Sequence, residues 1–226
     1  MKRAFGSAAT KAESQRTFRG HLSNIFSIEF DYHCQMLYSC GNDGYLVQYD
    51  IESELALRKM IRNSIIGDIN LNHENAVTKL SINPQCDKTI LTSSLDGSIQ
   101  RWDSRSRSHA GAIQMLSPQN CVQFNPVYPH LFVTSDQNGG ILLFDDRKAF
   151  GTESIPIRTY TTTLFRGNVK GRVVDIPSAV WSPNGVKIGA ILNGFYPTIY
   201  NMDDISPMCF LSSTSTRHHG YKSIST

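Results

Sequence analysis

The residues of this chain with the means to do chemistry are its histidines, its paired acids, its cysteines and two short basic runs. Nucleophilic catalysis needs a Ser or Cys with a positioned base, and the sequence holds no Gly-x-Ser-x-Gly elbow. His73, beside Glu74, occupies a turn position and reads as a structural histidine rather than a base. His218 and His219 sit in a Ser- and Thr-rich tail without nearby carboxylates, a poor setting for a metal. Asp145-Asp146 and Asp203-Asp204 read as solvated acids at strand exits. The glycine runs CGNDG and QNGGI suit hairpins, since neither leads from a strand into a helix as a phosphate loop does. The sequence therefore points away from an enzyme and calls for no cofactor and no metal. Of the basic runs, RWDSRSRSH carries Arg101, Arg105 and Arg107, and FRGNVKGR carries Arg166, Lys170 and Arg172. Without interleaved aromatics these read as solvated surface more than as a nucleic-acid site. Arg105 differs from the others. It follows Trp102-Asp103 by two residues, at the point where a strand leaves the core. There its planar fork of donors can meet a partner's carboxylates or carbonyls, or pair with its own Asp103 or a neighbouring acid.

The elements that must position these residues are strands. The 226 residues are 40% hydrophobic and 18% charged, with a net charge of +3, which suits a globular chain with a sizeable core. Five scattered cysteines without a CxxC pair read as reduced thiols in the nucleus or cytoplasm. No apolar run approaches the ~20 residues of a spanning helix, so no membrane is expected. Ile90–Arg105 reads as strand, Asp96-Gly97 turn, strand and polar exit, and three other segments repeat the plan. Asn83 to Asp103 and Asn125 to Asp145 each span 20 residues; Asp31 to Asp50 and Ser182 to Asn201 each span 19. The closing residues Asp50, Asp103, Asp145 and Asn201 lie 53, 42 and 56 apart, against about 40–45 for one blade of a Trp-Asp propeller. The excess falls in loops, chiefly 51–71 and 148–177.

These segments resemble WD-repeat propellers. ILTSSLDGSIQRWDSR further resembles the adaptor-binding box of WD-repeat substrate receptors of cullin-four-type RING ubiquitin ligases, with Asp96, Trp102, Asp103 and Arg105 matching it. The resemblance covers roughly residues 19–221. It implies an all-β fold of about four blades, each of four antiparallel strands, within a seven-bladed type. It also implies that the chain corresponds to an internal slice of a longer receptor. An open arc is expected rather than a closed ring, because a seven-fold wedge is too narrow for four blades to close. Blades are expected at about 19–71, 72–110, 111–155 and 173–211. A disordered basic tail should precede them at 1–18, loop 148–177 should be inserted, and a second tail should follow at 212–226.

The resemblance also assigns roles. Blades of this kind carry a polar relay of His, Ser or Thr, Asp and Trp. It maps fully onto His73, Thr92, Asp96 and Trp102, and in altered form onto His21, Ser39, Asp43 and Tyr49. The third repeat keeps Thr134, with Asn138 for Asp and Phe144 for Trp; the fourth keeps only Tyr200. Such a relay is structural, not catalytic. Arg105, supported by Asp103, would contact the propeller adaptor of the ligase, with Arg147 after Phe144-Asp145-Asp146 as a degenerate second copy. The implied function is that of a protein-interaction module, a substrate receptor holding an unknown protein target. The alternative is a WD scaffold or chromatin or RNA reader without the ligase link.

Overall fold

Each repeat turns on a polar residue at the end of its first strand. Asp31 Oδ1 accepts the N–H groups of Gln35 and Met36 at 2.8 and 2.9 Å. Asn83 Oδ1 does the same for Gln85 and Cys86 at 3.0 and 3.2 Å, and Asn125 Oδ1 for Val127 and Tyr128, both at 2.9 Å. Ser182 Oγ accepts the Lys187 N–H at 2.9 Å. These four residues are the landmarks of the 19–20-residue spacing, which therefore measures the distance from a capped loop to the next strand exit. The two asparagines do more, because an amide also donates. Asn83 Nδ2 donates to the Pro129 carbonyl and Asn125 Nδ2 to the Gly185 carbonyl, both at 2.8 Å. Each closes its own loop and ties its blade to the next.

The computed structural model describes residues 20–51, 58–60, 73–105, 108–151, 154–160, 162 and 174–211. The expected tails at 1–18 and 212–226 lie outside the described residues. So do Arg107, Arg166, Lys170, Arg172, His218 and His219. Among the described residues, sixteen strands form four antiparallel sheets. The first holds β1 (Ile25–Phe30), β2 (Met36–Gly41), β3 (Leu46–Asp50) and β4 (Arg58–Met60). The second holds β5 (Val77–Asn83), β6 (Cys86–Ser94), β7 (Ser98–Asp103) and β8 (Ser108–Gln114). The third holds β9 (Gln119–Phe124), β10 (Leu131–Asp136), β11 (Ile141–Asp145) and β12 (Arg158–Thr159), with a short helix α1 (Asp146–Ala149) after β11. The fourth holds β13 (Ser178–Trp181), β14 (Lys187–Ile191), β15 (Thr198–Asn201) and β16 (Pro207–Phe210). In every sheet the strands lie in sequence order, each paired with the one before it. The Asp96-Gly97 turn falls where the residues demand it. Gly97 has φ +84°, and a Cβ there would come within 2.8 Å of the Met115 carbonyl oxygen.

Two expected blade limits differ from the structure. β8 runs to Gln114, past the boundary at 110, and β12 lies beyond 155, inside the stretch assigned to the 148–177 loop. β12 is only two residues long, and of residues 110–114 in β8 only Ile113 is buried, so these stretches carry weak alternation.

The blades stack face to face, which is why strands such as ILLFD are apolar on both sides. Tyr38, Cys40 and Leu46 of the first blade meet Leu80, Ile82, Ile90 and Trp102 of the second. Leu91, Ile99 and Ile113 meet Val122, Phe132, Leu142 and Phe144 of the third. Val133, Ile141 and Leu143 meet Trp181, Ile188 and Tyr200 of the fourth. Among the described residues no comparable cluster joins the fourth blade to the first. The described residues form an open arc. At its ends Phe26, Ile28 and Phe30 of β1, and Val180, Ile191 and Met208 of the last blade, are exposed.

One ionisable group lies in the seam between the first two blades. Burial pushes the Glu29 carboxyl from 4.5 up to about 7, against the lowering influence of the Ile82 N–H and Lys79. A carboxyl whose folded pKa exceeds its unfolded value binds more protons when folded, so stability falls as pH rises between the two values. Urea unfolding should therefore lose stability from about pH 4.5 to about 7 on this account. Glu29→Gln should flatten that slope and raise the urea midpoint at pH 8. An unchanged slope in the variant would contradict the assignment.

Candidate functional site

The second blade brings four polar side chains into one chain of hydrogen bonds. His73 Nε2 lies 2.7 Å from Thr92 Oγ1, and the Trp102 indole N–H donates to the same oxygen at 2.9 Å. On the other side of the ring, Nδ1 lies 2.9 Å from Ser98 Oγ and 3.3 Å from Asp96 Oδ2. Asp96 also accepts the Glu74 and Ser98 N–H groups at 2.9 and 2.7 Å. Burial pushes the Asp96 carboxyl up, but His73 and the Ser98 hydroxyl and N–H outweigh it and hold it well below the usual carboxylate range. Ser98 joins the relay as a member the resemblance does not supply; its place two residues after the turn Asp, on the face shared with Gln100 and Trp102, is the signal that identifies it.

The first blade repeats the arrangement with different ends. His21 Nδ1 lies 2.8 Å from Asp43 Oδ1, Nε2 lies 2.7 Å from Ser39 Oγ, and Ser39 Oγ lies 3.2 Å from the Tyr49 hydroxyl. For Asp43 too, burial raises the carboxyl, and the Leu22 N–H with His21 more than reverses it. Ser, His and Asp in this order have the composition of a catalytic triad. Ser39, however, is 1% exposed and pinned between two strands, so its hydroxyl has no path to an acyl group. The arrangement braces the hairpin turn against the preceding loop.

In the third blade the chemistry moves. The Thr134 hydroxyl is buried without a hydrogen-bond partner among the described residues. The acid is Asp136, two residues further along β10, rather than Asn138 in the turn. Asp136 accepts the Ser117 hydroxyl at 2.7 Å and the Asn138 and Gly140 N–H groups at 2.9 and 2.7 Å. Asn138 cannot offer a carboxylate, and Ser117 stands where the first two blades place histidine.

A direct test of these relays is Thr92→Val, which keeps the shape and removes the oxygen. It leaves His73 and the Trp102 N–H without their shared partner, a loss of about 1–2 kcal/mol. A melt within experimental error of the parent would show the relay to be idle.

The strand exits carry the second set. Asp103 Oδ1 accepts the Arg105 backbone N–H at 2.9 Å and its Nε at 3.2 Å, and Oδ2 accepts Nη2 at 2.8 Å. Asp145 repeats all three bonds to Arg147, at 3.0, 2.9 and 2.6 Å. Each Asp thus closes a turn and aims the guanidinium two residues ahead. The two arginine side chains remain 70% and 66% exposed. Both forks follow the third strand of adjacent, like-oriented blades, so they lie on one rim of the arc. An exposed pair of this kind is screened by solvent and adds little to folding, which leaves the guanidinium available to a partner at little cost to the fold.

Arg101, in the same basic run, is turned inward. Its Nη1 lies 3.4 Å from both carboxylate oxygens of Asp146 and from the Asp146 carbonyl oxygen, and its Cζ stands 4.9 Å over the Phe150 ring. Burial pushes the Asp146 carboxyl up in spite of this guanidinium, the mark of a desolvated pair. Among the described residues there is no group of three or more His, Cys, Asp or Glu that could hold a metal, and no helix is long and apolar enough to cross a membrane. All five cysteines are free.

Comparison with known proteins agrees with this geometry. The WD domain, G-beta repeat model matches residues 12–50 and 69–103, the first two repeats. Human DDB1- and CUL4-associated factor 5 is 35% identical over 89 residues, 39% of this chain and 8% of that protein. DNA damage-binding protein 2 of Danio rerio is 25% identical over 155 residues, 62% of this chain and 29% of that protein. The chain thus spans less than a third of either curated relative. The β-propeller domain of Myceliophteria thermophila Cps50 (Swd1) superposes with a TM-score of 0.68 at 17% identity, over 89% of this chain and 58% of that one. Sheet order, face-to-face packing and repeat match agree on one fold: the described chain is an open arc of a WD-repeat β-propeller.

Proposed function

We propose that this arc is the interaction module of a substrate receptor for a cullin-four-type ubiquitin ligase, docking on the ligase's propeller adaptor through the rim that carries Arg105 and Arg147. The observation that carries the reading is the repetition of one Asp–Arg fork on two adjacent blades, each with an exposed guanidinium aimed by a carboxylate. A guanidinium held this way keeps its planar face and outward donors for carbonyls or carboxylates of a second protein. The partial likeness to DDB1- and CUL4-associated factor 5 supports the same partner, DDB1. The module does no bond chemistry; it holds a protein target near a ligase that does. Free cysteines and the named relatives favour the nucleus or cytoplasm. Affinity purification from cells, scored for adaptor and cullin, tests the proposal. The parent chain should bring both down, and the Arg105→Glu/Arg147→Glu double variant neither. Equal recovery from both chains, at equal folded concentration, would refute it.

A second reading follows from the printed names of two partial relatives, DNA damage-binding protein 2 and DNA damage-binding protein CMR1. On that reading the module sits on chromatin without the ligase link. Filter binding to duplex DNA across a salt series separates the two: the docking proposal expects no steep salt-dependent retention, whereas phosphate binding requires it.

A further inference from the structure

The two forks belong to different blades, so something must fix their separation if one rigid surface is to engage both. Arg101 lies on β7, four residues before Arg105, and Asp146 is the residue next to Arg147. Arg101 reaches across the seam between the second and third blades to the Asp146 carboxylate and carbonyl, each at 3.4 Å. The same guanidinium lies over Phe150, and its Nη2 donates to the Ala110 carbonyl at 3.4 Å. Phe150 is itself fixed. Its ring stacks on Phe132 with centroids 6.0 Å apart, and it packs so closely on Gly111 that a Cβ there would come within 2.9 Å. Helix α1, which carries Arg147, is thereby bound to β7, whose exit carries Arg105 two residues on.

We infer that Arg101, clamped between Asp146 and Phe150, is a positioning residue that sets the spacing of the Arg105 and Arg147 forks, so that they act as one two-pronged site for a protein surface bearing two oxygen acceptors at a matching distance. The inference rests on the docking reading above and adds to it the device that makes two weak contacts one strong one. Two prongs held in register act at high effective concentration, whereas prongs on loosely coupled blades bind nearly independently. Arg101 need not touch the partner.

The test is a titration of purified adaptor, DDB1, against the full chain and its variants. Arg101→Met keeps an apolar stem over Phe150 and removes the fork; Asp146→Asn removes the charge from the other side. Each is expected to weaken binding about fivefold to tenfold in the parent. Neither should change affinity in an Arg147→Ala background, where only one prong remains to be positioned. Hydrogen exchange should quicken at 146–151 in Arg101→Met while the second blade's core strands stay protected. If the Arg101→Met loss persists undiminished with Arg147 already removed, or if the parent tolerates it, the positioning role is overturned while docking through the forks stands. If Arg105→Ala and Arg147→Ala both leave affinity unchanged, the docking reading fails and this inference with it.

Discussion

Trp102→Ala should lower the unfolding free energy by about 3–5 kcal/mol, the loss typical of emptying a large buried aromatic site. The indole is 1% exposed and lies in the seam where Tyr38, Cys40 and Leu46 of the first blade meet Leu80, Ile82 and Ile90 of the second. Its removal opens a cavity shared by two blades and strips Thr92 Oγ1 of the indole N–H that donates at 2.9 Å. In a repeat array stability is close to a sum of units and their interfaces. A wound in one interface should therefore uncouple the first blade from the rest and broaden the urea transition as well as shift it. Trp102→Phe, which restores most of the volume but not the donor, should recover more than half of the loss. Equilibrium unfolding followed by fluorescence and by circular dichroism measures both. An alanine variant destabilised by less than about 1 kcal/mol would mean the seam relaxes around the gap and does not hold the arc together.

Much of this seam was legible beforehand, for reasons that are local. Asp-Gly at 96–97 dictates a turn because Gly97 alone accepts its positive φ, and Trp102 lies one strand length beyond it. The spacing from Asn83 to Asp103, repeated from Asn125 to Asp145, reflects a capping side chain at one end and a fork-forming Asp at the other. Both devices are built within a few residues of sequence, so the sequence displays them. What was hidden depends on contacts between blades. Arg101 reads like Arg105 when only its neighbours are considered; its inward turn is decided by Asp146, 45 residues away. The shift from Asn138 to Asp136 in the third blade depends on Ser117 arriving from the preceding loop. The limits of β8 and β12 escaped because each offers too short a pattern: β12 has two residues, and Ile113 is the one buried side chain among residues 110–114 of β8.

Arg105→Ala should leave the melt nearly unchanged and weaken capture of the adaptor by about 2 kcal/mol or more, roughly thirtyfold, if the residue is an interface hot spot. The two halves of that expectation have separate causes. The side chain is 70% exposed and its pairing with Asp103 is within two residues, so folding gains little from it. Docking against a protein surface would remove the same fork from water, where each donor it loses to truncation leaves an acceptor unpaired. Arg147, whose fork has the same three bonds to Asp145, should follow it with a smaller effect, since the residue before its Asp is Phe144 and the box there is degenerate. Arg105→Lys should rescue only part, because an ammonium supplies charge without the planar pair of donors.

Docking through Arg105 is tested most directly by calorimetric titration of the adaptor with the parent chain, Arg105→Ala and Trp102→Phe, each at a folded concentration fixed by circular dichroism. Saturable binding by the parent and by Trp102→Phe, with a roughly thirtyfold loss confined to Arg105→Ala, is the expected result. Equal affinity for all three, or no binding by the well-folded parent, would contradict it.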